Sequence, residues 1–397
     1  MINVGLVIDA IGSYGRGLLR GIARFVHANP SWAVRYEEWA EGDAVPRWLA
    51  RGQFDGVLCR IRKPRQFESL RRLNIPIVDL GSLPPPPGIA NIHSDHTAIS
   101  RLAAEHLLAC ELPNLAYCGF EGQLASTHRQ IAFQEHLAGR GIRPAVLQIA
   151  VRVRAGSQQL RTIHATRRTA HAEPHDPALA LWLDRLPKPV GIMACNDLCG
   201  RRILAVCQRK GLHVPEQVAV IGVDNDEVLC ALAIPALSSV EPGSDRIGFG
   251  AAELLDRLIK GAQVPSTALL VVPLEVVPRT STDTIFVADP MVVRALRYIR
   301  TETRIPAVED VLAHLDNHSM LVSRSTLERR FKTLLGFLPH DEIVRVRLRR
   351  IERLLRGTEY PLWRIAEISG LGGEPHLNRF FKLHRNLSPG KFRRGIQ

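Results

Sequence analysis

The residues best suited to chemistry fall into two groups. In the first ~280 residues they follow apolar runs: Asp9 after VGLVI, Asn196 and Asp197 after GIMAC, and Asp224 and Asn225 after VIGV. Tyr14 and Arg16 lie just beyond the first run, and Arg129 follows YCGFEG. Carboxylate, amide and guanidinium groups together offer hydrogen-bond donors and acceptors, and an aromatic ring offers a flat apolar face. The same Asp and Asn side chains also cap helices and turns, so each has a structural use beside a binding one. In the last ~100 residues the polar groups lie at helical spacing. Arg324, Ser325, Glu328 and Arg329 form one set with Lys332. Glu374, His376, Asn378 and Arg379 form another with Lys382, and Lys391 follows.

Several chemistries are missing. SYGRGL is glycine-rich but lacks the GxGxxG or GxxxxGK spacing that cradles phosphates. There is no HExxH to hold a catalytic zinc and no GxSxG nucleophile turn. No metal, no cofactor and no enzymatic activity are expected. The seven cysteines are odd in number and form no CxxC pair. They read as reduced core thiols of a cytoplasmic protein.

The elements that must position these groups differ along the chain. Up to residue 282, short apolar runs alternate with helical patterns. Strands are predicted at Val4–Ile8, Ala33–Tyr36, Gly56–Cys59, Ile75–Leu80, Leu115–Cys118, Val146–Val151, Val190–Ala194, Val218–Val223 and Leu269–Val272. Helices are predicted at Gly12–Val26, Ile99–Leu108, Ile131–Leu137, Gly200–Arg209 and Ile247–Ile259. Near-continuous apolar strands separated by helices belong in parallel sheets buried on both faces. So many strands need two doubly wound lobes. A cleft at the carboxyl ends of such strands is where open α/β sheets bind ligands. The stretch from His136 to Ala172 holds seven Arg and no Asp or Glu, and reads as a solvated surface segment. No apolar run reaches the ~20 residues of a membrane span.

After a connector at 283–290 the pattern is helical throughout. From Met291 to Gln397 there are 21 Lys and Arg against 11 Asp and Glu, a net of +10 out of +13 for the chain. A concentrated basic block is the footprint of a nucleic-acid-binding unit. Val308, Val311, Leu312 and Leu315 mark a short helix. Ser323 caps a second, with Leu327, Phe331 and Leu334/Leu335 inward. The arrangement recurs: Leu362, Ile365, Ala366 and Ile368, a turn at Gly370, then Leu377, Phe380 and Phe381. A basic helix over Asp341–Arg356 separates the two. A supporting helix, a turn and a helix exposing polar residues is the helix-turn-helix arrangement, here in tandem.

These residues carry a resemblance. SRSTLERRFKTLLG, IVRVRLRRIERLL, PLWRIAEISGLGG and HLNRFFKLHRNLSPGKFRR together resemble the AraC-type DNA-binding domain. Leu371 stands where that pattern usually has an aromatic, Ile351 where a small Ala is common, and Asp316–Leu321 lengthens the first turn. SYGRGLLRGIARF, FDGVL, PKPVGIMACND, VPEQVAVIGVDND, LSSVEP and IGFGAAELLDRL resemble the periplasmic-binding-protein-like sugar domain of LacI-type repressors. That order of domains resembles the XylR-like transcriptional regulators.

The resemblance implies a two-lobed sensing domain at 1–282, a linker at 283–290 and a DNA-binding domain at 291–397. It implies that sugar hydroxyls are bound by Arg129, Asp197 and Asp224, with Tyr14 and Arg16 from the opposite lobe and Asp9, Asn196 and Asn225 as further candidates. Arg324, Ser325, Glu328 and Arg329, then Glu374, His376, Asn378 and Arg379, become base-edge readers. Lys332, Lys382 and Lys391 become phosphate contacts. The implied partners are double-stranded DNA, a sugar effector of the xylose kind and a second copy of the chain. RNA polymerase is a further candidate, and no membrane is involved. Activation is the implied sign of regulation. The alternatives are a non-sugar ligand, a repressor role or a sugar-modifying enzyme.

Overall fold

The computed structural model describes residues 1–37, 46–61, 63–150, 176–283, 289–302, 305–317, 320–358 and 360–394. Most of the Arg-rich stretch and most of the 283–290 connector lie outside the described residues. Contacts divide the chain into two units, Met1–Thr284 and Ile285–Gln397.

The first unit opens with β1 (Ile2–Val7), α1 (Ser13–Ala28), β2 (Trp32–Tyr36), α2 (Arg47–Arg51), β3 (Gly56–Cys59), α3 (Pro64–Arg71), β4 (Ile77–Asp79) and β5 (Ala90–Ser94). It continues with α4 (His96–Ala109), β6 (Asn114–Phe120), α5 (Leu124–Ala138), β7 (Ala145–Ile149), α6 (Pro177–Arg185), β8 (Val190–Ala194) and α7 (Asp197–Lys210). Then come β9 (Val218–Val223), α8 (Glu227–Leu232), β10 (Ser238–Val240), α9 (Ser244–Ile259), β11 (Leu269–Val271) and β12 (Val276–Val277), and a 3-10 turn at Thr280–Thr282.

Two six-stranded sheets result, in the orders β11-β5-β4-β3-β1-β2 and β12-β10-β9-β8-β6-β7. All pairings are parallel except β10 with β12. Each sheet defines a lobe. The chain crosses between lobes at Ser94–His96, Val240–Ser244 and Val271–Val276.

Three strands escape a search for apolar runs: β5, β10 and β12. ANIHS and SSV are rich in polar residues, yet Asn91, Ser94, Ser238 and Ser239 are buried. Asn91 donates to Asp79 Oδ2 and to the carbonyls of Asp79 and Gly81, while Ser238 and Ser239 each have hydroxyl partners. A buried polar group is tolerated once it is hydrogen-bonded, so these strands need no apolar signature.

In the first lobe α1 lies against α9 with almost no side chain between them. A Cβ on Gly21 would stand 1.9 Å from the Asp245 carbonyl oxygen, and one on Gly248 2.0 Å from that of Leu18. Glycine is required at both by close backbone approach.

The second unit holds α10 (Pro290–Thr301), α11 (Val308–Asp316), α12 (Arg324–Leu335), α13 (Pro339–Gly357), α14 (Leu362–Ile368), α15 (Glu374–Arg385) and α16 (Pro389–Arg394). It has two cores. Val292, Leu296, Ile299, Val311, Leu315, Leu327 and Phe331 form one, and Ile365, Ala366, Leu377 and Phe381 form the other. The long helix α13 contributes Ile343 to the first and Leu348, Ile351 and Leu355 to the second. Leu334 is exposed, so only Leu335 of that expected inward pair packs, and then only partly. Buried Glu342 on α13 receives Arg300 of α10 at 2.8 Å and Arg349 at 3.4 Å. This ties the first core together at a buried carboxylate whose charge is matched.

Candidate ligand cleft and nucleic-acid interface

Strand ends from both lobes meet around a cavity of about 290 Å³. From the first lobe, Asp9 and Tyr14 line it behind β1, and Arg60 behind β3. From the second come Phe120 and Ser126 around β6, Arg129 on α5, Asn196 and Asp197 behind β8, and Asp224 and Asp226 behind β9.

Its charges are largely paired. Arg60 lies 3.3 Å from Asp9 and over the face of Tyr14, 4.6 Å from the ring centre. Tyr14 Oη is 3.0 Å from Ser94 Oγ. Arg129 is buried; its Nη1 donates to the Cys195 carbonyl and its Nη2 lies 3.7 Å from Asp224. Arg129 Nε is buried without a partner among the described residues. Asp224 sits at φ 106°, a strained conformation for a residue with a side chain. Strain of that kind clusters at ligand sites, where surrounding contacts enforce it.

Asp197 is fully enclosed. It accepts from the Asp226 amide at 2.7 Å and from Ser239 Oγ at 2.5 Å. Burial first, and the Asp224 charge second, push its carboxyl up to about 8. It is therefore mostly protonated at neutral pH. Burial also raises Asp224, against the pull of Arg129 and Arg60.

Six of the eight residues expected in the cleft line it: Asp9, Tyr14, Arg129, Asn196, Asp197 and Asp224. Asn196 also caps α7, accepting from the Cys199 amide at 2.9 Å. Asp95 caps α4 through the Ala98 amide and does not line the cavity. Two residues fall elsewhere. Arg16 turns from the cavity because Nη1 donates to the Ile11 carbonyl at 2.8 Å, and Nη2 reaches Asp226 across the lobes at 3.4 Å. Asn225 is held by Glu241 at 3.1 Å and Arg279 at 2.7 Å.

Arg60, Ser82, His96, Gln123, Ser126 and Asp226 also line the cavity, and none of them is among the eight residues expected there from the sequence. Arg60 directly follows β3 and obeys the strand-end rule that found Asp9. His96 follows β5, a strand without an apolar signature. No group of three metal-ligating side chains occurs among the described residues.

In the second unit, Ser323 caps α12 through the Thr326 amide. Arg324, Ser325, Arg329 and Lys332 are exposed on this helix, and Glu328 is half-buried. Arg324 forks between Glu309 of α11 at 2.8 Å and Glu328 at 2.9 Å. Exposed pairs of this kind are worth only ~0–1 kcal/mol, so the guanidinium can exchange them for another acceptor. On α15, Glu374, His376, Arg379 and Lys382 are exposed and Asn378 is half-buried; Lys391 on α16 is exposed. Residues 317–323 join the first helix pair and the shorter 369–373 the second.

Residues 104–282 match a periplasmic binding protein-like domain and residues 318–395 a helix-turn-helix domain. The chain is 32% identical over 411 residues to the xylose operon regulatory protein of Escherichia coli (strain K12), covering 98% of this chain and 96% of that protein. It belongs to the family of xylose operon regulatory proteins. Identity to the xylose operon regulatory protein of Haemophilus influenzae is 30% over 404 residues, 98% of each chain. The fold matches the solved structure of the xylose-binding transcription activator xylR with a TM-score of 0.76 at 29% identity, covering 99% of this chain and 98% of that one. This family member is a sugar-responsive transcription regulator, not an enzyme. It joins a periplasmic-binding-protein-like module to an AraC-type helix-turn-helix module. Among the described residues no helix is long and apolar enough to cross a membrane.

Proposed function

We propose that this regulator senses a neutral pentose of the D-xylose type in the interlobe cleft and uses it to activate genes of pentose catabolism. The balance of charge in the cleft carries the reading. Asp9 is met by Arg60, Asp224 by Arg129 and Asp226 by Arg16, while Asp197 is mostly neutral. Such a site suits a ligand rich in hydroxyls and without charge. A cavity of about 290 Å³ falls at the small end of the ~300–1,000 Å³ typical of ligand pockets, which favours a monosaccharide.

Asp9, Tyr14, Arg129, Asn196, Asp197 and Asp224 are the proposed contacts. The domains run 1–282, with a linker at 283–290, and 291–397. The protein works in the cytoplasm as a homodimer on two operator half-sites, with RNA polymerase as a candidate partner. Arg324, Ser325, Glu328, Arg329, Glu374, His376, Asn378 and Arg379 address base edges. Lys332, Lys382 and Lys391 address phosphates. Sugar shifts the lobes toward closure only by its differential affinity for the closed form.

A thermal-shift screen of the full chain against D-xylose, L-arabinose, D-ribose and D-gluconate tests the sensing half. D-xylose at ~100 Kd stabilises by ~2.7 kcal/mol because it binds the native state alone. Stabilisation by D-gluconate in preference to every neutral sugar refutes it. DNA affinity must fall steeply with salt, and failure to hold duplex DNA at low ionic strength refutes the other half.

A further inference from the structure

We infer that His96, oriented by Ser82, is a ligand-contacting residue that takes one sugar hydroxyl from the crossing between the lobes. The inference rests on the cleft being a sugar site. His96 is the first residue of α4, directly after the chain leaves β5 of the first lobe. It lines the cavity and is 8% exposed. Its Nε2 is 2.8 Å from Ser82 Oγ, which also lines the cavity. Its Nδ1 is buried and has no hydrogen-bond partner among the described residues. Buried polar atoms are rarely left unpaired, and this one belongs to a residue that lines the cavity, so a small turn of the ring would offer it to a ligand there.

The neighbouring groups keep this imidazole neutral. The His93 ring stacks on it at 5.6 Å from β5, and the His128 ring approaches at 5.6 Å from α5. Burial first, then Arg129, His93, His128 and Arg60, hold His96 well below the ordinary histidine range. A neutral imidazole has one donor and one acceptor nitrogen. Ser82 can serve either role at Nε2, and a sugar hydroxyl can take the complementary role at Nδ1. The orienting Ser82 has its own support. Asp79 accepts from the Ile61 amide at 2.8 Å and the Gly81 amide at 3.2 Å, which holds together the two loops that carry Arg60 and Ser82.

A contact here differs from one on either lobe alone. His93 belongs to the first lobe and His128 to the second, so the three rings span the first crossing. A hydroxyl bound by His96 therefore engages the sensing module at its pivot.

The test is calorimetric titration of the full chain with D-xylose, D-ribose, L-arabinose and D-lyxose, comparing wild type with His96→Phe, His96→Asn and Ser82→Ala. The expected result is a ~10- to 100-fold loss of affinity for the preferred sugar in His96→Phe, from one polar contact to a neutral group left unmade. His96→Asn, with its own donor and acceptor, should recover part of that loss. Unliganded melting temperatures check that the variants fold. On ¹⁵N-histidine-labelled wild type, sugar should move the His96 Nδ1 resonance, a readout that needs no variant. Wild type that binds sugar while His96→Phe binds equally well, or while the Nδ1 resonance stays in place, overturns the His96 assignment alone. Wild type that binds none of the sugars overturns the reading of the cleft, and His96 with it.

Discussion

Replacing Asp197 by Asn should make the sensing module progressively more stable, relative to wild type, as pH rises from 5 to 7. In the folded protein the Asp197 carboxyl titrates at about 8 instead of 3.8, because it is buried and faces Asp224. In the unfolded chain it ionises near ~3.9. The raised value means that the folded state holds a proton the unfolded state has released. The resulting stability is complete below the unfolded value and is lost as pH rises through the window from about 4 to about 8. The slope is ~1.4 kcal/mol per pH unit, so wild type should lose ~3 kcal/mol from this group between pH 5 and 7. Asp79, pushed up to about 7 by its burial, adds a loss of the same sign, but it is common to both proteins. Asn is nearly isosteric and can meet both partners. Its carbonyl accepts from the Asp226 amide, and its NH₂ donates to Ser239 Oγ in place of the bond that Asp197 receives. Urea denaturation of both proteins at pH 5, 6 and 7 measures the difference. A gap between them that stays constant within ~0.5 kcal/mol over that range would refute the claim that Asp197 is protonated in the folded cleft.

Further outcomes follow from the packing and the second unit. Gly21→Ala should lower stability by ~1–3 kcal/mol or more, because its Cβ meets the Asp245 carbonyl at 1.9 Å; an unchanged melting temperature would show that α1 and α9 can separate freely. Arg16→Ala should release the interlobe bridge to Asp226. Its half-exposed geometry limits the effect to ~1 kcal/mol, read as up to a ~5-fold weaker sugar affinity with a more open unliganded form in small-angle scattering. Equal scattering profiles and affinities would remove the bridge from the mechanism. Arg379→Ala should cost ~1–3 kcal/mol on the operator and relax the sequence preference at one base position, whereas Lys382→Ala should weaken all sequences alike and reduce the salt slope by ~1. A base-specific loss in the lysine variant would reverse those roles.

The composition of the chain determined its architecture more than its site. Strands such as Val190–Ala194 and Val218–Val223 are buried on both faces. They must be apolar throughout, and that requirement is visible in one dimension. The helix pairs of the second unit were equally legible, because packing against a core imposes the 3.6-residue period whatever the partner. A polar strand leaves no such trace. ANIHS and SSV are buried because Asn91, Ser238 and Ser239 find partners across the fold.

The same limit governs the cleft. Among the lining residues the family resemblance added Tyr14 and Arg129, and the rule that ligands meet strand ends identified Asp9, Asn196, Asp197 and Asp224, since a strand end can be recognised locally. It could not show that Arg16 points to Asp226, 210 residues away, leaving Arg60 to accompany Asp9. Nor could it show that Asp197 meets Ser239, 42 residues on, and keeps its proton. Local sequence decides which groups stand at the rim. Whether each is paired, charged or free for a ligand depends on neighbours from distant segments, and only the folded chain brings those within hydrogen-bonding distance.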